Sequence, residues 1–404
     1  MINQKRAPGF IGNKKYMSTA RTKNKRKNKK RKSGALTVGK IILLTFLTLL
    51  FLLFLLIYIF LNFYKPLHQD FGGRIDLIQD VSPEGEPVPP EYAQDTMERA
   101  EDIYTFLILG LHDDGFLTDT IIYMMFDTAN KKISILNIPR DTYVNTLGYK
   151  GKKINGVFNE SGYKPAVNAG KSKNEASTEG VKAVARMIKY TFGVPVDRYI
   201  LADLEGFREL VDAVDGVDME VPIRMKYEDP EQNLYIDLEK GWQHLNGDKA
   251  EQLIRFRKGD DGYPDYPRAD LDRIATQQKF MSALMKKMLK FDVGQIKKLF
   301  DVNKKYVSTN LNAMEVSWFA AQFIEGKSVK LENIRLNTIP GEEYIYDGWS
   351  CYSTYKAEVM EIINKYYNPY KEKIPANNFN IFEPSREYAG LADIDGVTMD
   401  KLVK

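Results

Sequence analysis

Three regions of this 404-residue chain concentrate carboxylate and guanidinium groups, and each follows an apolar run. In GLHDDGFLTDT, Gly110 to Thr120, a single short loop carries His112, Asp113, Asp114 and Asp119. Several of these oxygens could converge on a hard cation such as Mg2+ (or Mn2+), with water and phosphate completing its shell. A solvated turn with capping aspartates is the other reading of an Asp-rich loop. In IPRDTYV, Ile138 to Val144, Pro139 ends an apolar run and Arg140 and Asp141 follow at once. Ligands of open α/β sheets gather at such carboxyl ends of strands. Arg140 could thus face the same crevice as Asp119, or form a surface pair with Asp141. The third region joins LIRFRKG, with Arg255 and Arg257, to YPRADLDRIATQQ, with Arg268, Asp270, Arg273 and Gln277. Extended chain would point Arg255 and Arg257 to one side, and Arg273 and Gln277, four apart, share a helix face. Guanidinium forks match phosphate oxygens bidentately, so a wall of several suits a pyrophosphate; a solvated basic face is the alternative.

Apolar runs must position these loops. YTFLILGL (Tyr104 to Leu111), DTIIYMMFD (Asp119 to Asp127) and KKISILNIP (Lys131 to Pro139) are rich in β-branched and aromatic residues and bounded by turn formers, which predicts three neighbouring strands. The first two are almost continuously hydrophobic, as central strands covered on both faces would be. Helical spacing predicts a helix over Thr178 to Phe192, closed by Gly193 with Pro195 beyond. VDRYILAD then reads as a strand, LEGFRELVDAV as a helix and GVDMEVPI as a strand. Further helices are expected over residues 247–254 and 273–291, followed by a helix from Val316 to Ile324, a strand in ENIRLNTIP and a helix from Ala357 to Tyr366. Alternating elements of this kind build a layered α/β domain, here expected over residues 92–369. Residues 65–91 read as a polar stalk, and residues 370–404 as a polar C-terminal tail.

Charge is distributed unevenly. Residues 1–40 contain 14 Lys and Arg and no Asp or Glu, so a formal net charge of +4 for the whole leaves −10 on residues 41–404. Between the two parts Ile41 to Tyr64 runs without a charge, and at about 1.5 Å per residue it is long enough to cross a hydrocarbon core of roughly 30 Å. NFYKPLHQDF, which follows, offers no small-residue cleavage site, so residues 41–64 read as an uncleaved transmembrane helix. Retention of Lys and Arg on the cytoplasmic side places residues 1–40 inside as a basic tail and the body outside. Such a juxtamembrane run sets topology and attracts anionic lipid; without interleaved aromatics or a fold it is not expected to bind nucleic acid. The single cysteine, Cys351, excludes an intramolecular disulfide, which suits a Gram-positive type of envelope.

Taken in order, LILGxxxDxxxTDT, IPRDTYV, KIN (Lys153 to Asn155), DLEGFRELVDAVDGVDMEVP, GWQHLNGDKAEQLIRFRKG and DLDRIATQQ resemble the LytR-CpsA-Psr family over about Tyr104 to Leu289, and LNTIPGEEYIYDGWSCY resembles its closing segment. The resemblance implies a layered α-β-α domain with a central mixed sheet. Its apolar interior would take a polyprenyl tail, with the pyrophosphate held at the mouth by arginines and Mg2+. It implies an extracytoplasmic phosphotransferase that moves a glycopolymer (teichoic acid, capsule or similar) from a polyprenyl-pyrophosphate carrier onto peptidoglycan, with pyrophosphatase activity as a further expectation. Carried over by position, Asp119 would be a metal ligand and a catalytic residue, while Arg140, Arg255, Arg257 and Arg273 would bind phosphates. Gln277 would line the same site, and Asp141, Lys153, Asn155, Arg268 and Asp270 are expected on the substrate.

One position departs from the family pattern. His112 stands where the family usually has Asp, and Asp114 where an Arg is common. Mg2+ prefers oxygen to imidazole nitrogen, so Asp113 or Asp114 is expected to reach the metal instead. His112 also motivates a rival reading, a membrane-tethered binder of lipid-linked glycan without catalysis. A transcriptional attenuator, suggested by the family's older naming, is the third.

Overall fold

The computed structural model describes residues 45–55, 64–73, 97–112, 115–144, 151–232, 234–267, 270–303, 305–322, 329–346, 348–382 and 395–402. The chain divides into two units, Met1–Lys65 and Pro66–Lys404. In the first, residues 45–55 are helical with Phe46, Leu49, Phe51 and Phe54 exposed. Among the described residues no helix is long and apolar enough to cross a membrane; residues 41–44 and 56–63 of the expected span, and the basic tail, lie outside them.

The second unit is built on a seven-stranded mixed sheet. Strands β1 (Ile103–Leu111), β2 (Thr118–Asp127) and β3 (Lys132–Asn137) form an antiparallel meander. Next to β1 lies β4 (Arg198–Ala202), parallel to it, and β3 is joined in parallel by β10 (Ile334–Thr338). The edges are β9 (Val307–Thr309) and β13 (Val397–Thr398), giving the order β13-β10-β3-β2-β1-β4-β9. Two cores explain why β1 is hydrophobic at nearly every position. Leu107 and Leu109 point into one, against Val181, Val184 and Ile188 of helix α1 (Lys173–Phe192) and against Ile362 and Tyr367. Tyr104 and Phe106 point into the other, against Phe319 and Met399. The result is a helix-sheet-helix sandwich, as expected.

Helix α1 begins five residues before the predicted start. Ser172 and Glu175 form a reciprocal capping box there, satisfying N–H groups that a helix start leaves orphaned, and Gly193, at φ 73°, closes the other end in the left-handed conformation. A third core lies among α2 (Leu204–Ala213), the antiparallel pairs β5–β8 (Val217–Val221 with Gly241–Leu245) and β6–β7 (Met225–Asp229 with Leu234–Leu238), α3 (Gly247–Arg255) and α4 (Asp270–Met288). Val221, Met225, Ile236, Leu253 and Phe280 fill it.

Two boundaries need correction. The expected C-terminal tail is part of the domain through residue 382: Tyr370, Ile374, Phe379 and Ile381 are buried in the α1-side core, and Asn380 N donates to Thr191 O at 3.1 Å. Further on, β13 pairs with β10 and Met399 is buried. At the other end, the start of the expected stalk is fastened down. Phe71 N donates to Val196 O at 2.8 Å, Gln69 N to Asp197 Oδ1 at 2.8 Å, and Lys189 Nζ pairs with Asp70 at 2.5 Å. The rest of that stretch, residues 74–91, lies outside the described residues.

Candidate functional site

Topology alone gathers the first group of predicted residues. In an antiparallel meander the end of β1, the start of β2 and the end of β3 share one edge, which brings His112, Asp119 and Arg140 side by side. A register shift between Gly110 and Leu111 turns the end of β1 toward Asp119; a Cβ on Gly110 would sit 3.0 Å from that of Thr120, so the close crossing favours glycine. Both Asp119 oxygens accept: Oδ1 from Arg140 Nη1 at 2.6 Å, and Oδ2 from His112 Nδ1 at 2.7 Å. Burial alone would raise the Asp119 carboxyl, but hydrogen bonds from His112 and Arg140, with the Arg140 charge, hold it below the usual carboxylate range.

The loop after β3 extends the cluster. Asp141 pairs with Lys153 Nζ at 2.8 Å, whereas Arg140 Nε lies 3.9 Å from Asp141, so Asp119 is the closer partner of Arg140. Asn155 N donates to Arg140 O at 3.2 Å, Ile154 N to Thr142 O at 2.9 Å, and Thr118 Oγ1 to Asn155 O at 3.3 Å. The KIN segment is thereby knitted to the PRDT loop. The side chains of His112, Asp119, Arg140, Asp141 and Lys153 are about a quarter to two fifths exposed, while Thr118, Thr142 and Ile154 beneath them are buried, so the cluster faces solvent from packed supports. Such half-exposed ion pairs contribute little to stability and leave a guanidinium, an ammonium and an imidazole beside one another at a strand edge, where an anionic group could displace carboxylate partners.

A second group sits on α3 and α4. Arg255 is the last residue of α3, not part of an extended segment as the spacing had suggested, and its Nη1 donates to Glu251 one turn back at 2.8 Å. Buried Phe256 separates it from exposed Arg257. Gln277, on α4 with Arg273, donates from Nε2 to Ile254 O at 2.9 Å, which ties α4 to the end of α3. Glu251, which sequence reasoning passed over, also accepts from Arg208 at 2.5 Å; its spacing of four from Arg255 was the available signal. Asp270 opens α4, but its side chain, like Arg268, Asp113 and Asp114, lies outside the described residues.

Among the described residues no group of three or more His, Cys, Asp or Glu is arranged to hold a metal ion. Asp119 supplies a carboxylate, and Asp113 and Asp114 are the neighbouring candidates.

The LytR_cpsA_psr family model matches residues 79–368. The chain is 27% identical over 258 residues to the polyisoprenyl-teichoic acid–peptidoglycan teichoic acid transferase TagV of Bacillus subtilis, a match spanning 60% of each chain. It is 27% identical over 195 residues to the regulatory protein MsrR of Staphylococcus aureus, covering 48% of this chain and 51% of MsrR. The matches thus span about half to three fifths of these relatives. In structure, a Streptococcus agalactiae protein superposes with a TM-score of 0.54 at 16% identity, over 73% of this chain and 96% of that one. The crystal structure of B. subtilis TagV superposes at 0.50 with 22% identity, over 65% and 94%. At such identities the likeness speaks for the fold, while the family match, over most of the body, identifies the chain: it belongs to the LytR_cpsA_psr family.

Proposed function

We propose that the protein is an extracytoplasmic phosphotransferase that moves a glycopolymer from a polyprenyl-pyrophosphate carrier onto peptidoglycan. The observation that carries this reading is the Arg140–Asp119–His112 cluster, with Asp141–Lys153 beside it, at the carboxyl ends of β1 and β3. In the proposed reaction a glycan hydroxyl attacks the phosphorus bearing the polymer and polyprenyl phosphate departs. Such transfer rests on positioning and charge neutralisation more than on covalent help from the protein. Arg140, joined by Arg255, Arg257 and Arg273, would hold the non-bridging oxygens as bidentate forks, and Lys153, Asn155 and Gln277 would orient the substrate. Mg2+ belongs to this proposal as extra charge on the phosphates, with Asp119 and Asp113 or Asp114 as the residues to hold it. The relative named a teichoic acid transferase supports the reaction class; the donor polymer is left open between teichoic acid, capsule and similar chains.

The proposal also places the N-terminus in the cytoplasm and the body outside a cell membrane, held by one span over residues 41–64. Support comes from the basic tail, the uncharged run and the helical segment 45–55, which is apolar on all sides as a lipid-facing helix is. The test uses the full chain in detergent micelles, a polyprenyl-pyrophosphate glycan, Mg2+ and a peptidoglycan acceptor. Transfer with release of polyprenyl phosphate is expected. Tight donor binding without transfer would instead favour the non-catalytic binder. The regulatory name of the MsrR relative keeps the attenuator reading in view; if that reading held, replacing residues 1–32 by a neutral, topology-preserving tail would abolish the envelope phenotype, whereas an enzyme retains it.

A further inference from the structure

The hairpin of β11 (Gly341–Tyr346) and β12 (Trp349–Thr354) grows from the same sheet edge as the site. It is bonded directly to the site loop: Tyr352 N donates to Asp141 O at 2.8 Å, and Tyr143 N donates to Tyr352 O at 2.9 Å. Within the hairpin, on β12, burial pushes the Cys351 thiol up; the charges of Lys153 and Lys152 oppose this and that of Asp141 adds to it, so the hairpin and the site loop lie within each other's electrostatic reach. Near its tip Tyr346 and Trp349 are directly opposed in register, which sets both rings on one face.

This pair differs from ordinary surface aromatics. The Tyr346 ring is fixed edge-on against Tyr143 at 5.1 Å and Phe382 at 5.2 Å, while Trp349 beside it is 61% exposed. Lys152 Nζ stands 5.2 Å from the centroid of Tyr346, and its neighbour Lys153 already pairs with Asp141 in the site. From Trp349 to Tyr352 the strand advances about 10 Å. An aromatic pair with a cation over one of its rings, bonded to the loop of the proposed phosphate site, fits one kind of occupant. The C–H faces of sugar rings, slightly positive, lie on the negative faces of aromatic rings, and an acidic substituent meets the ammonium.

We propose that the Tyr346–Trp349 face, with Lys152, is the platform for the acceptor: a glycan strand of N-acetylated sugars bearing carboxylates. This rests on the transfer reaction proposed above and assigns its acceptor side. Alongside vesicles of anionic phospholipid, the test measures affinities of the full chain in micelles for three glycan probes. These are a tetrasaccharide of alternating N-acetylglucosamine and N-acetylmuramic acid, the neutral N-acetylglucosamine tetramer, and a polyprenyl-pyrophosphate glycan. Trp349→Ala weakens the acidic tetrasaccharide at least tenfold, Trp349→Phe recovers most of that loss, and Lys152→Ala weakens the acidic probe but not the neutral one. Donor affinity stays within twofold of wild type throughout, which also shows that the variants are folded. Unchanged glycan affinity in Trp349→Ala overturns the proposal. So does binding to anionic vesicles that Trp349→Ala abolishes while glycan affinity holds. A wild type that binds the glycan through Trp349 yet ignores the donor refutes the transfer reaction and upholds the platform.

Discussion

Two aspartates of this protein each gather cations, and they do so to opposite ends. Asp197 is fully buried at the start of β4: Arg99 Nη2 donates to it at 2.7 Å, Thr105 N at 2.9 Å and Gln69 N at 2.8 Å. Next to it the buried Arg198 pairs with Glu315 and reaches Leu67 O at 3.1 Å. Asp119, at the other end of the strands, is about a third exposed and, among the described residues, holds Arg140 and His112. For both, burial raises the carboxyl pKa and the partners more than reverse it. They differ in burial and in partners, since backbone amides as well as a guanidinium meet Asp197, whereas two side chains meet Asp119. A dry network, although Arg99 Nε and Arg198 Nε find no hydrogen-bond partner among the described residues, fastens the Pro66–Gly73 segment to the sheet, whereas a wet one keeps its cations where an anion can reach them.

Breaking each cluster in turn gives effects of decreasing size. Asp119→Ala is expected to cut transfer by about a hundredfold or more, on the scale of losing one electrostatic contact to a transition state, yet to change unfolding free energy by less than about 1 kcal/mol. Steady-state transfer rates and urea titration of the same preparations check both halves. Asp197→Ala reverses the pattern. Stranding Arg99 and the Thr105 and Gln69 amides should cost about 3–5 kcal/mol in urea unfolding, with transfer per folded molecule preserved.

Acid sharpens the contrast. Because the Asp197 carboxyl lies below its unfolded value of about 3.9, its contribution is complete above that pH and is lost as pH falls through the lower folded value. Wild type should therefore lose stability below about pH 4 more steeply than Asp197→Asn, as followed by circular dichroism against pH; parallel curves would remove Asp197 from the account. The smallest effect is local. Ser172→Ala removes the cap of α1 and should cost about 1 kcal/mol in urea unfolding, without effect on transfer per folded molecule.

What could be read in advance follows from the same physics. The strands β1 to β3 declare themselves because both faces are buried, and Arg140 and Asp119 declare themselves by position at their ends. β5 and β7, alternating buried and exposed over only five residues each, are weaker signals, and the β6–β7 and β11–β12 pairs went unpredicted, as did the helix Val293–Asn303. Tyr370 and Ile374 are isolated among polar residues and prolines, and Phe379 and Ile381 form only a short alternation, so their distant partners in α1 reveal them as core. In the site, the His112–Asp119 bond depends on a bulge at Gly110 that no spacing rule announces. The spacing of two between Arg255 and Arg257 suggests extended chain, but the helix expected to end at residue 254 runs one residue further and takes in Arg255.

The central claim, that Arg140 is a phosphate ligand held ready by Asp119, has a direct measurement. Arg140→Lys and Arg140→Ala in the full chain would be compared with wild type for dissociation constants of a polyprenyl-pyrophosphate glycan and of the corresponding polyprenyl monophosphate. The account predicts that Arg140→Ala loses tenfold or more for the pyrophosphate, that Arg140→Lys recovers part of it, and that the monophosphate changes less. Equal affinities of all three proteins for the pyrophosphate donor would contradict it.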